Sequence, residues 1–353
     1  MLAQVAIFII GLVALVAGAE LLVRGASRLA LSFGISPLVI GLTIVAFGTS
    51  APEMTVSVGA VLDGSTELAF GNAIGSNVFN VLGILGLAAI ITPLSVHIQL
   101  IRQEAPILIG SAILLLVLSL DGSISGVDAL VLSGLLVGYT VFLIVQSRAE
   151  PSKPAEQEAG PSSRGVQIAF VVGGLILLVG GAQALVSAAV HFARVFGVSE
   201  VIIGLTIVAV GTSLPEVAAS VMAALKGERD IAVGNVIGSC VFNILGVVGF
   251  SGLAAAFMPG TAGLLVPAAV LNFDLWVMLA AFVACLPVFL SGREIARWEG
   301  VVFLGYYIAY AAYLVMQSQA HDALQAFSTT MLGFVIPLTI VTLVVSLFRR
   351  TPH

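Results

Sequence analysis

Two glutamates lie deep inside apolar runs, Glu53 in GLTIVAFGTSAPE (41–53) and Glu216 in GLTIVAVGTSLPE (204–216). A charged side chain at the centre of a bilayer costs about 2.5–3.5 kcal/mol on insertion scales, so it persists where it faces a polar cavity or holds a cation. Each glutamate has the same neighbours. Thr49 and Ser50 stand four and three residues before Glu53, and on a helix both fall beside it; Thr212 and Ser213 repeat this around Glu216. Pro52 has no N–H for the Gly48 carbonyl and Pro215 none for that of Gly211, so each helix should bend there and release main-chain oxygens. Downstream, GNAIGSNVFN (71–80) and GNVIGSCVFN (234–243) add Ser76 with Asn80 and Ser239 with Asn243, each pair one turn apart. Gly71, Gly75, Gly234 and Gly238 suit close helix approach.

The combined set holds two carboxylates, two amides, six hydroxyls and freed carbonyls, with no imidazole or thiolate. Such oxygens suit hard cations such as Ca²⁺ or Na⁺ and argue against zinc or copper. Taken singly, each hydroxyl fits helix packing as well as ligation. The paired glutamates point to ligation.

Other ionisable groups are assigned lesser roles. Glu20 precedes Arg24 by four residues and reads as a snorkelling ion pair; its counterpart Gln183 carries no charge, so a symmetric ligand role is not expected. Asp63, Glu67, Asp121, Asp128, Asp230 and Asp274 fall near span ends and are expected to be solvated. The histidines at 97, 191, 321 and 353 avoid the deep apolar stretches, which argues against Ser50 or Ser213 as a Ser–His nucleophile. Cys240 and Cys285 lack metal-ligand spacing and read as small buried hydrophobes rather than a disulfide. No nucleotide-binding motif is present, so neither ATP nor nucleic acid is an expected partner, and no enzymatic role is expected.

The elements that must position these residues are membrane helices. Of 353 residues, 59% are hydrophobic and only 9% charged, where a soluble chain carries about a quarter charged. The apolar runs are too long for barrel strands, which makes the fold all-α and polytopic. Spans are expected near 3–23, 36–61, 67–91, 105–120 and 126–146, then near 166–190, 200–225, 230–256, 268–290 and 298–316, with an eleventh at 326–348. The stretch before Ile7 has no basic residue and reads as part of a first span rather than a signal peptide.

From Gly41/Gly204 to Gly86/Gly249 the two halves keep an offset of 163, and 28 of the 46 paired positions are identical. This divides the chain into a first repeat at 1–147, a linker rich in Pro, Ser and Glu at 148–164, a second repeat at 165–317, and an extra helix with a basic tail at 318–353. With the N-terminus outside, every Lys and Arg except Arg194 falls on the inner side, which makes the linker and the C-terminus cytoplasmic. Five spans before the linker invert the second repeat relative to the first, an arrangement common in secondary transporters with sites near the midplane.

The GTSAPE and GTSLPE segments, each followed by GNxxGS, resemble the two alpha-repeats of the sodium/calcium exchanger branch of the cation/calcium antiporter superfamily. The resemblance covers residues 1–316 and implies two inverted five-helix repeats, with spans two, three, seven and eight around the ions and spans one and six sliding across them. By position it implies Glu53 and Glu216 as central ligands, with Thr49, Ser50, Thr212 and Ser213 and the carbonyls of Ala46 and Ala209 from the kinked spans. Ser76, Asn80, Ser239 and Asn243 would complete the sites from spans three and eight. Family members often have an aspartate at the position of Asn80 or Asn243, whereas both are amides here. Two carboxylates balance one Ca²⁺, whereas three Na⁺ would leave one positive charge in surplus, so the two carboxylates alone do not set the counter-ion stoichiometry.

The resulting expectation is a calcium antiporter of the cell inner (plasma) membrane, driven by sodium, with proton- or potassium-coupled exchange as the alternative. Calcium and sodium are cargo, and no resident cofactor is expected. The extra span has no repeat partner and is expected to pack peripherally, as a candidate subunit contact. A passive channel would conduct without a counter-ion, and no filter-like loop supports it. A receptor or scaffold would have only the linker and short loops to work with.

Overall fold

Inside hydrocarbon every backbone N–H and C=O must be satisfied within the chain, so long runs of Leu, Val, Ala and Ile become helices. A computed structural model describes residues 2–149, 163–196, 209–258 and 263–348. The helices are α1 (Leu2–Phe33), α2 (Pro37–Thr49), α3 (Ala51–Leu62), α4 (Thr66–Ile91), α5 (Leu100–Leu118) and α6 (Gly126–Ala149). The second half continues with α7 (Arg164–Val195), α8 (Ala209–Thr212), α9 (Leu214–Leu225), α10 (Arg229–Phe257), α11 (Val270–Leu290), α12 (Arg297–Ser318) and α13 (Leu324–Val345).

Among the described residues nine helices are long and apolar enough to cross a membrane, or ten with the bent pair α2–α3 as one span. The α9 segment is the described end of the expected seventh span. Residues 197–208, which would carry its start, lie outside the described residues, as do 150–162 of the expected linker. An eleventh crossing needs that missing start.

Two boundaries differ from expectation. The first span was expected to end at 23 and the sixth to cover 166–190, yet α1 and α7 are each 32 residues. At 1.5 Å per residue that is about 48 Å, well beyond a hydrocarbon core of about 30 Å. Polar and basic residues within the extra turns, Arg24, Arg28 and Arg164 among them, can reach the headgroup level by snorkelling.

The two long helices lie against each other along their length. A Cβ placed on Gly18 would be 2.5 Å from the Leu178 nitrogen, and one on Gly174 would be 2.5 Å from that of Leu22. Backbones approach this closely only where no side chain intervenes.

The centre of the fold is α10, whose most apolar stretch is buried throughout, while that of α13 is buried nowhere. The α13 helix is held at the edge by the Tyr306 hydroxyl, which donates to Thr339 Oγ1 at 2.7 Å. It therefore packs peripherally, as expected.

Four two-residue strands, unforeseen in the sequence, join the halves. β1 (Leu94–Ser95) pairs antiparallel with β4 (Glu294–Ile295), and β2 (Ser123–Ile124) with β3 (Leu264–Leu265). Each pairing ties a loop of one repeat to a loop of the other. Val96 N–H donates to Arg293 O at 2.7 Å beside the first pair, and Val266 N–H to Gly122 O at 2.9 Å beside the second. Loop backbone entering the protein here finds its partners across the repeat boundary.

Candidate functional site

The bend expected at Pro52 is present. Helix α2 ends at Thr49, Ser50 leaves helical geometry with ψ near 0°, and α3 departs at 41° with Pro52 in its first turn. Proline is tolerated at that position because its missing N–H would have no helical partner there. Ser213 and Pro215 repeat the break between α8 and α9. Each glutamate thus lies in the first turn of a helix that starts inside the protein, where the positive end of the helix dipole favours an anion.

The hydrogen bonds then cross between halves. Ser50 Oγ donates to Glu216 Oε1 at 3.1 Å, and Ser213 Oγ donates to Glu53 Oε1 at 2.9 Å. Ser213 Oγ lies 3.4 Å from Ser76 Oγ, and Thr49 Oγ1 lies 3.4 Å from Ser239 Oγ. Both glutamates, Thr49, Ser50, Ser213, Ser76, Ser239, Asn80 and Asn243 are all buried. Thr212 is half-buried and lines a cleft of about 290 Å³ with Pro52, Thr55, Gln183 and Gly211.

Several polar atoms in this group have no hydrogen-bond partner among the described residues. They are Glu53 Oε2, Glu216 Oε2, and both side-chain polar atoms of Asn80 and of Asn243. An unpaired buried amide or carboxylate oxygen is costly, and the four oxygens among these atoms are of the type that hard cations prefer. The two asparagines sit beside or within widened π-helical turns, Phe79–Leu85 in α4 and Asn243–Val248 in α10. Such turns occur frequently at functional positions.

The remaining expected ligands are main-chain groups. The Ala46 carbonyl accepts the Ser50 N–H at 2.9 Å, which leaves it one further lone pair. The backbone of Ala209 opens α8, where the Ser213 N–H turns to Val210 O at 3.2 Å. The glycines divide unevenly. A Cβ on Gly234 would lie 2.8 Å from Leu38 O and one on Gly238 would lie 2.6 Å from Leu42 O. Gly71 and Gly75 meet nothing within 4 Å among the described residues, and their counterparts of Leu38 and Leu42 fall at 201 and 205, outside those residues.

Two further pairs were missed at the level of sequence. Asn235 Nδ2 donates to Ser220 Oγ at 2.8 Å, and Asn72 Nδ2 donates to Ser57 Oγ at 3.0 Å. All four residues are identical between the repeats at the offset of 163, and that identity was the available signal.

The other acids behave differently. Glu104 is buried but accepts from Tyr139 Oη at 2.8 Å, Gln99 Nε2 at 3.0 Å and Gln103 Nε2 at 2.7 Å. Asp274, expected to be solvated, is half-buried and accepts from Tyr310 Oη at 2.7 Å. Asp128 caps the start of α6 by accepting from the Ser125 N–H and hydroxyl, at 2.9 and 2.6 Å. Glu20 pairs with Arg24 as expected, and also with Lys226 at 2.9 Å. These acids are served by the protein itself, whereas Glu53 and Glu216 each keep one oxygen unserved.

A structural role for Glu104 has a direct consequence. Tyr139→Phe is expected to lower stability by about 1–3 kcal/mol, the cost of leaving a buried acceptor short of a donor. A melting curve in detergent reads this loss, while the calcium dependence of uptake should stay within about twofold of the parent.

Comparison with known proteins shows the family. The family described as sodium/calcium exchanger protein matches residues 3–145 and 166–316. CaxA of Alkalimonas amylolytica is 40% identical over 330 residues, covering 90% of this chain and 100% of that one. The sodium/calcium exchanger MaX1 of Methanosarcina acetivorans is 33% identical over 347 residues, covering 87% of this chain and 97% of that one. Among solved structures, the sodium-calcium exchanger NCX_Mj soaked with 2.5 mM Na⁺ and 10 mM Sr²⁺ superposes with a TM-score of 0.77 at 32% identity, over 88% of this chain and 98% of that one. The chain is a polytopic membrane protein that belongs to the sodium/calcium exchanger family of antiporters.

Proposed function

We propose that this protein exchanges calcium for sodium by alternating access, with the ions held near the membrane midplane between the two repeats. The observation that carries this reading is the pair of buried carboxylates, each tied to the serine of the opposite half and each keeping one unpartnered oxygen. Thr49, Ser50, Thr212, Ser213, Ser76, Ser239, Asn80 and Asn243, with the carbonyls of Ala46 and Ala209, complete the proposed ligand set.

Charge supplies the coupling. An empty site would enclose two uncompensated carboxylates, and burying such charge costs several kcal/mol per ion. Bound cations remove that penalty and permit the site to be occluded, so the vacant carrier crosses poorly. One Ca²⁺ neutralises the pair, and Na⁺ ions compete for the same oxygens. The cleft at Thr212 runs along α7 beside Gln183, on the outer side in the proposed orientation, and supplies one approach.

The proposed topology has eleven spans in the plasma membrane, an outer N-terminus and a cytoplasmic C-terminus, with α13 available as a subunit contact. The decisive experiment is radiolabelled calcium uptake into proteoliposomes, with sodium, potassium and pH gradients imposed one at a time. Uptake is expected to follow an outward sodium gradient. Uptake driven only by a pH or potassium gradient would replace sodium as counter-ion, and flux without any counter-ion would replace the carrier by a channel.

A further inference from the structure

Thr49 Oγ1 has one proton and several oxygens around it: Asn235 Oδ1 at 3.1 Å, Ala46 O at 3.3 Å, Ser239 Oγ at 3.4 Å, and the Glu216 carboxylate, which also draws a hydrogen bond from it. Where that proton goes decides what a cation meets. A hydroxyl binds a cation through its lone pairs, so its hydrogen must point elsewhere.

Once a cation engages the Glu216 carboxylate, Asn235 Oδ1 is the nearest acceptor left for the proton. It is fully buried in α10, and its Nδ2 is engaged by Ser220 Oγ at 2.8 Å and by the Glu216 carbonyl at 3.5 Å. The Glu216 carbonyl can only accept, so it orients the amide nitrogen toward α9, and Ser220 Oγ accepts in that orientation. Its oxygen therefore faces Thr49 across the repeat boundary. With the proton drawn to Oδ1, the Thr49 oxygen keeps its lone pairs for a cation. The Ala46 carbonyl, already accepting the Ser50 N–H, also keeps its second lone pair.

We propose that Asn235 is a positioning residue, which takes the Thr49 proton and so leaves lone pairs of two oxygens, Thr49 Oγ1 and Ala46 O, free for the transported cation. This rests on the proposed function, because it assumes that a cation occupies the space between the glutamates. The residue does not touch the ion. Ser220 acts one step further out by holding the amide.

The test is a double-mutant cycle read by calcium binding to the purified full-length protein, through calorimetric titration and calcium-dependent protection against thermal unfolding. Asn235→Ala and Thr49→Ala are each expected to weaken binding about tenfold, and the double variant also about tenfold rather than about a hundredfold. A residue that merely supports the fold would give independent, additive losses. Should Asn235→Ala fail to fold, Ser220→Ala replaces it in the same cycle, with an expected loss of about threefold that vanishes in the Thr49→Ala background. Additive losses in either cycle, or undiminished binding in Asn235→Ala, would overturn the positioning role and leave the antiport reading intact. Absence of calcium and sodium binding by the unmodified protein would instead overturn the antiport reading.

Discussion

Glu53→Gln is expected to abolish coupled calcium flux while leaving the helices and their packing in place. The amide matches the carboxylate in shape and keeps an oxygen for the Ser213 hydroxyl, which donates to Glu53 at 2.9 Å. What it loses is charge. One Ca²⁺ would then face a single carboxylate, and Glu53 is fully buried. Truncating one partner of a buried, hydrogen-bonded charge pair typically costs about 2–5 kcal/mol, or roughly 30- to 5000-fold in affinity. Glu216→Gln should match it, because the two residues occupy equivalent, crosswise-bonded positions. Proteoliposome uptake measures the loss, and circular dichroism with a melting curve checks the fold. Sodium-driven calcium uptake at the unmodified rate in Glu53→Gln would refute the site.

The second large effect concerns the seam between α1 and α7. Gly18→Leu would place its Cβ 2.5 Å from the Leu178 nitrogen and 2.8 Å from the Gly174 oxygen, closer than atoms can approach. These are backbone atoms on a helix, so no side-chain rotation relieves the clash and the helices must separate. The cost belongs at the upper end of the 1–3 kcal/mol usual for overpacking, and transport should fall to background even in molecules that fold. Gly180→Leu is the control. Among the described residues nothing lies within 4 Å of a Cβ there, and its position on α7 is exposed. Equal melting temperatures and equal uptake for the two variants would show that the seam is not close-packed in the membrane.

Much of this architecture was legible because the chain says everything twice. The offset of 163 carried the glutamates, their hydroxyl neighbours, the proline bends and the asparagines as matched sets, and the unpartnered atoms of Glu53, Glu216, Asn80 and Asn243 lie among those residues. The crosswise pattern was not legible. Nothing local to GTSAPE says that Ser50 will serve Glu216 instead of Glu53, since that depends on how two distant helices meet. Glu104 escaped notice because it stands at the very start of an apolar run, and its partner Tyr139 is 35 residues away.

Its counterpart pair, Asp274 with Tyr310, was hidden by a change of register. Past Gly249 the second half has a longer connection, so the spacing of 163 gives way to 170 between Glu104 and Asp274. The rim strands were illegible for a related reason. Two residues are too few for a periodic signal, and each strand's partner is supplied by the opposite half.

Those strands constrain how the molecule can move. One pair ties the two halves of the bundle together before α5 and the other ties them after it, while neither α1 nor α7 contributes to them. The bundle is thus pinned between its halves at two places. Under the proposed exchange, the travelling part is then the glycine-seamed rod leaning against it, which behaves like a single sash in a two-light window: the stroke that shuts one opening uncovers the other.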